Sequence, residues 1–122
     1  MVKAFSYGLG TYDVAKLFEE QGANYLGVAN TYEGIELRKA GIKMPIMVMK
    51  PETDSFSLVQ EFNLIPTLFS NYSLQRLIES IDTSKPISIS LKIDTGMHRL
   101  GFNESEIPAL IQQIKKHSFL KI

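Results

Sequence analysis

With 122 residues, thirteen basic and thirteen acidic, the chain carries a formal net charge of zero, contains no cysteine, and suits one ordinary domain with a respectable core. The charge balance excludes a nucleic-acid binder built on a basic field, and the missing thiols exclude a disulfide framework, a thiol nucleophile and a thiolate metal site. No run approaches the ~18 apolar residues of a membrane span and none follows Met1-Val2-Lys3-Ala4-Phe5 as a signal peptide, so the expectation is a cytoplasmic protein without a membrane partner.

Val2–Tyr7 reads as a strand stub, followed by a turn through Gly8 and Gly10. Tyr12–Glu20 has a helical period, with Val14, Leu17 and Phe18 on one face and Gly22 as its stop. Tyr25–Ala29 is the next strand. Thr31 is expected to cap a helix running to Lys39 and ended by Gly41. Ile46–Met49 is a short apolar strand of the doubly buried kind. Ser55–Phe62 predicts a short helix and Ile65–Phe69 a fourth strand. After Ser73, residues Leu74, Leu77, Ile78 and Ile81 give an amphipathic helix. Ile87, Ile89, Leu91 and Ile93 then alternate strictly with Ser88, Ser90, Lys92 and Asp94. Asn103 with Glu106 resembles a capping box ahead of Ile107, Leu110, Ile111 and Ile114, and Phe119–Ile122 begins a sixth strand.

Strands alternating with helices predict βα units and a parallel sheet. A doubly wound sheet covers both faces with helices, so its central strands are apolar on both. The polar face of Ile87–Asp94 fits a barrel instead, where polar groups face the lumen near the C-terminal mouth. The fold class expected is α/β, an incomplete TIM-type (β/α)8 barrel with about six strands, residues 1–122 forming one partial domain. An open sheet of this kind has unpaired edges, and Lys3 is expected at a fraying terminus.

Two segments carry the chemistry. The first is Lys3-Ala4-Phe5-Ser6-Tyr7-Gly8-Leu9-Gly10, a lysine at a strand end running into a glycine-punctuated turn. In a parallel barrel that lysine faces the active-site mouth, whereas an unremarkable lysine at position 3 is simply solvated. The second is Lys92-Ile93-Asp94-Thr95-Gly96-Met97-His98-Arg99-Leu100-Gly101. Alternation puts Lys92 on the lumen side, with Asp94 on the same face as one available salt-bridge partner.

Together these segments resemble the N-terminal barrel domain of alanine racemases, pyridoxal 5'-phosphate enzymes that interconvert L- and D-alanine for peptidoglycan precursors. The Phe5-Ser6 version of the first string resembles the subgroup fused behind a cell-wall ligase domain. The resemblance implies that Lys3 is the Schiff-base lysine and the acid/base on one face of the substrate. It implies that Tyr7 contacts the cofactor phosphate and that Met49 packs near the ring. Arg99 would contact the ring oxygen and the substrate carboxylate, for which a forked guanidinium is suited. Lys92 would support Arg99, either carbamylated to an anion or as a plain ammonium beside Asp94. Metal ligands are not expected. His98 and His117 read as surface groups, and Glu33, Glu36, Arg38 and Lys39 as a solvated helix face despite resembling a family string.

The resemblance also implies what lies elsewhere: a second acid/base tyrosine from a C-terminal domain of the other subunit in a homodimer. The chain therefore reads as a fragment, inactive by itself. Two rival readings stand beside it, a non-catalytic pyridoxal-phosphate carrier on the same barrel and a cofactor-free interaction remnant.

Overall fold

Short apolar runs bounded by turn residues make the strands: β1 (Leu26–Val28), β2 (Ile46–Val48), β3 (Ile65–Leu68), β4 (Ile87–Ser88), β5 (Ser90–Leu91) and β6 (Leu120–Lys121), in a computed structural model that describes residues 1–122. All pairings are parallel. Leu26 lies opposite Ile46, Val48 opposite Pro66, Thr67 opposite Ser90 and Ile87 opposite Leu120. β4 and β5 are one strand bent at Ile89, whose N–H turns to the Lys121 carbonyl at 2.7 Å. Spatial order thus follows chain order from β1 to β6. On the far side of β1, the Val2 N–H donates to the Gly27 carbonyl at 2.8 Å. A doubly wound sheet reverses direction at a switch point, whereas an unreversed sequence of parallel neighbours curls into a barrel. The incomplete barrel expected from the polar face of one strand is the fold observed.

Helices α2 (Thr11–Glu20), α3 (Thr31–Lys39), α4 (Phe56–Glu61), α5 (Asn71–Ser80) and α6 (Ile107–Lys115) alternate with the strands, and α4 and α6 each follow a 3-10 turn. The core lies between helices and sheet: Leu26, Val28, Ile46, Val48 and Leu68 meet Leu37, Phe56, Val59, Leu74, Leu77 and Leu110, all essentially inaccessible. Burying such side chains stabilises by about 1.5–3 kcal/mol each, which is why apolar side chains dominate the layer between helices and sheet. Gly34 permits the close approach of α3, because a Cβ there would lie 2.9 Å from a Leu64 methyl. Helix starts fall slightly off the expected residues. Asn30, not Thr31, caps α3, accepting the Glu33 N–H at 3.0 Å, while Thr31 is buried with its hydroxyl 2.7 Å from that of Ser55. Ser70, extended at φ −161, caps α5, and Ser73 completes the reciprocal box from the third helical position. The Asn103–Glu106 box forms as expected.

Three expectations are corrected. Only Ala15 of α2 is fully buried, while Leu17 and Phe18 stay 53% and 38% exposed, because α2 packs mainly on α3 and the N-terminal turn rather than on the sheet. The Val2–Tyr7 strand reduces to the single Val2 bond, and Lys3–Tyr7 instead forms α1, a left-handed helical turn with φ of 50, 54, 51 and 55 at Ala4, Phe5, Ser6 and Tyr7. The segment is also anchored rather than loose at its start. Val2 is completely buried, and Ser6, also buried, donates its N–H back to the Val2 carbonyl at 3.3 Å.

Candidate functional site

The left-handed turn is the first element of the site. Non-glycine residues in this conformation cost roughly 1–2 kcal/mol each, so a run of four persists only where surroundings over-determine it. Gly8 at φ 95 closes the turn and Gly10 at φ 91 opens α2. From α3, Glu33 reaches across: one carboxylate oxygen accepts the Ala4 N–H at 2.9 Å and the other the Ala29 N–H at 2.7 Å. Glu33 therefore does not belong to a solvated face, in contrast to Glu36 and Lys39, which are exposed. Helical spacing locates a residue on a helix but says nothing of the backbone donors that a neighbouring segment brings to it.

The second element is the loop from Ile93 to Phe102, whose ends pair as a parallel bridge. The Asp94 N–H donates to the Phe102 carbonyl at 3.0 Å, and the Phe102 N–H to the Lys92 carbonyl at 2.8 Å. Gly101 is required at this closure: its φ is 133, and a Cβ would stand 2.6 Å from the Asp94 nitrogen. Asp94 organises the loop interior, accepting the N–H of Gly96 at 3.0 Å and of His98 at 3.1 Å. These backbone donors hold its carboxyl below the ordinary aspartate range, with the His98 ring, 3.3 Å from the second oxygen, adding to the effect. Asp94 is accordingly not the salt-bridge partner of Lys92; its oxygens are taken by its own loop. His98 is largely exposed, as expected, apart from that contact. His117 differs from its surface reading: it is half-buried against Phe119, ring centroids 5.3 Å apart.

Between these elements, at the C-terminal ends of the strands, lies a cavity of about 420 Å³ lined by Met1, Lys3, Ala29, Met49, Lys50, Lys92, Met97, Arg99 and Leu100. Four of the five residues singled out from the sequence meet here: Lys3, Met49, Lys92 and Arg99. Lys3 and Lys92 are half-buried and Arg99 exposed. No acidic side chain lines the cavity, and none of its four cations forms an ion pair. Tyr7 is the one not brought in; it sits on the turn, 67% exposed, outside the lining. Lys50, two residues past the end of β2, is a cation of the cavity that the sequence reading passed over, since a lysine just beyond a short apolar strand carries no signal of its own. No group of His, Asp or Glu side chains suited to a metal ion is present.

Arg38, also read as solvated, is half-buried at the opposite end of the sheet. Its guanidinium donates to the carbonyl oxygens of Ile42, Met44, Phe62 and Asn63 at 2.8–3.0 Å. Burial lowers its pKa from the usual guanidinium value.

Compared with known proteins, the chain matches over residues 1–122 the family model described as alanine racemase, N-terminal domain. The alanine racemase of Sorangium cellulosum is 37% identical, the alignment covering 100% of this chain and 34% of that protein. That of Pseudomonas syringae pv. syringae is 38% identical over 93% of this chain and 32% of its own. Among solved structures, the alanine racemase from E. faecalis superposes with a TM-score of 0.91 at 30% identity, covering 98% of this chain and 33% of that one. The chain spans about a third of the length of these relatives.

Proposed function

We propose a function from one premise: the chain belongs to the alanine racemase N-terminal domain family, whose model it matches from end to end. In the complete protein its cavity holds pyridoxal 5'-phosphate and serves the interconversion of L- and D-alanine. The observation that carries this reading is the gathering of Lys3, Met49, Lys92 and Arg99, distant in sequence, around one cavity at the strand C-termini. The donor set fits such a cofactor. Four cationic heads with no acidic lining suit an anionic phosphate, and Ala29, Met49, Met97 and Leu100 offer apolar surface to a flat ring.

When bound, the cofactor supplies an electron sink that makes the Cα–H of an amino acid acidic. Lys3 anchors it and takes or returns a proton at Cα from its own face. Arg99 grips the substrate carboxylate with its fork. Lys92 supports Arg99, most effectively as a carbamate, whose negative charge would orient the guanidinium. Tyr7, on the exposed turn, would contact the phosphate. Racemisation also needs a base on the opposite face of Cα, supplied in this reading by a partner subunit of a homodimer. Residues 1–122 alone are then inactive. A cytoplasmic enzyme supplying D-alanine for peptidoglycan is the role that follows.

The test uses the complete protein. Pyridoxal phosphate followed by borohydride should fix the cofactor onto the peptide containing Lys3, and Lys3→Ala should abolish that adduct. Arg99→Lys should lower alanine turnover about 10–100-fold, the loss of a charged bidentate contact. Turnover unchanged by Arg99→Lys removes the carboxylate grip. Trapping at Lys3 without any racemisation favours a carrier, and no trapping at all favours a cofactor-free interaction domain.

A further inference from the structure

We infer that Glu33 is a positioning residue for Lys3, its carboxylate clamping the left-handed turn so that the lysine amine stays at the cavity mouth. The link to chemistry rests on the function proposed above; the clamp itself rests on geometry. Glu33 accepts the N–H of the peptide joining Lys3 to Ala4 at 2.9 Å, and with its other oxygen the N–H of Ala29, a residue of the cavity wall, at 2.7 Å. One side chain thus fixes the backbone beside Lys3 relative to the end of β1.

The platform is firmly packed and the held segment is strained. Glu33 occupies the third position of α3, where the helix dipole favours a carboxylate, and its own N–H is tied to Asn30. The neighbouring Gly34, Ile35 and Leu37 are buried, so α3 cannot shift to follow a moving turn. Ala4, by contrast, starts four successive positive-φ residues with no glycine among them. Such a run relaxes towards right-handed or extended backbone unless held, and either change would swing Lys3 away from the wall shared with Arg99 and Lys92. No cation engages Glu33, so both its oxygens serve backbone donors. A glutamate acting merely as a helix cap would have no need of the Ala4 contact.

The test compares the complete protein with Glu33→Gln, whose carboxamide replaces one of the two accepting oxygens with an NH2 group that cannot accept. Without cofactor, amide exchange in the peptide spanning residues 3–8 should rise about tenfold, as for loss of a charge-assisted bond, while the Ile46–Val48 peptide stays unchanged. Competitive acetylation of Lys3 relative to Lys50 should shift with it, and borohydride trapping of pyridoxal phosphate at Lys3 should slow about five- to tenfold. Adding Ala4→Gly, which removes the Cβ penalty at φ 50, should restore at least half of the lost trapping rate. That rescue is what a purely structural role would not produce. If Glu33→Gln does not fold, Glu33→Asp, which keeps the charge but withdraws the reach by one methylene, gives the same reading. Unchanged exchange at residues 3–8 overturns the clamp. Faster exchange with unaltered Lys3 acetylation and trapping overturns the positioning role. Should the parent protein show no trapping while exchange and acetylation respond, the clamp stands and the racemase reading falls.

Discussion

At the N-terminal ends of the strands, Arg38 donates to four carbonyl oxygens and Glu19 accepts the N–H groups of Lys43 and Met44, so the loops entering β2 and β3 are sewn to α2 and α3. At the C-terminal ends, carboxylates hold the backbone in the same manner, Glu33 on the turn and Asp94 in its loop, but the cations Lys3, Lys50, Lys92 and Arg99 stand without ion-pair partners. The contrast separates two uses of charge. Where charged heads such as those of Arg38 and Glu19 are spent on the protein's own backbone, they secure the fold. Where carboxylates shape the backbone and cations are left over, the surplus is available to a ligand. In a barrel this is the division expected between the lower rim and the mouth.

The strongest way to break the comparison is Arg38→Ala. Three part-buried carbonyl oxygens and the exposed one of Asn63 would lose a charged donor, and we expect about 2–4 kcal/mol of destabilisation, read from the urea midpoint. Arg38→Lys should recover only a minor part, because an ammonium cannot fork to four acceptors. Trapping at Lys3, measured well below the unfolding midpoint, should change less than about twofold, since Arg38 acts at the other end of the sheet. A loss of trapping as large as that expected for Glu33→Gln would show that the two ends are coupled and that the division is false.

A smaller effect tests the mouth. The Asp94 carboxyl is held below its ordinary value of 3.8 by the Gly96 and His98 N–H groups, and only afterwards by the His98 charge. A depressed folded value means that the carboxylate's contribution is complete above the unfolded value and lost as pH falls through the lower, folded one. The Gly96 and His98 amide resonances should therefore shift with a common midpoint below 3.8, while those of β2 stay constant across that step. A midpoint at or above 3.8 would mean that Asp94 does not hold the loop in solution. Arg99 would then lie on a loop without internal support.

Much of the architecture was legible because it is periodic. The alternation through Ile87–Asp94 identified the lumen face, and Ser88, Ser90 and Lys92 do line it. The same alternation misplaced Asp94, because the strand ends at the bridge to Phe102 and the residue beyond turns into its loop. The strings around Lys3 and Arg99 contain side chains that the fold gathers around one cavity. Left-handed backbone at Ala4-Phe5-Ser6-Tyr7 had no local signature, since none of these residue types prefers it and the hold comes from Glu33, 29 positions away. Arg38 was hidden for the same reason: two of its acceptors lie 24 and 25 residues further on. Periodicity reports which face of an element is apolar. It does not report which distant carbonyl or amide that face will meet.

The smallest expected effect belongs to Lys50, and it sharpens the comparison most finely. Its N–H is fixed by the Ala29 carbonyl at 3.0 Å and buried Pro51 follows, so the backbone is set while the side chain remains exposed at the cavity. An exposed, unpaired ammonium acts on an approaching phosphate chiefly through a screened field, since the Debye length is about 10 Å at 0.1 M salt. Lys50→Gln should therefore weaken pyridoxal-phosphate binding to the complete protein only about two- to fourfold at low ionic strength, mainly by slowing association, and hardly at all near 1 M salt. A larger, salt-resistant loss would make Lys50 a direct ligand, in closer contact with the phosphate than Tyr7 on its exposed turn. No loss even at low salt would mean that the unpaired cations of the mouth do not act together. The surplus of charge that separates this end from the lower rim would then come down to Lys3, Lys92 and Arg99 alone.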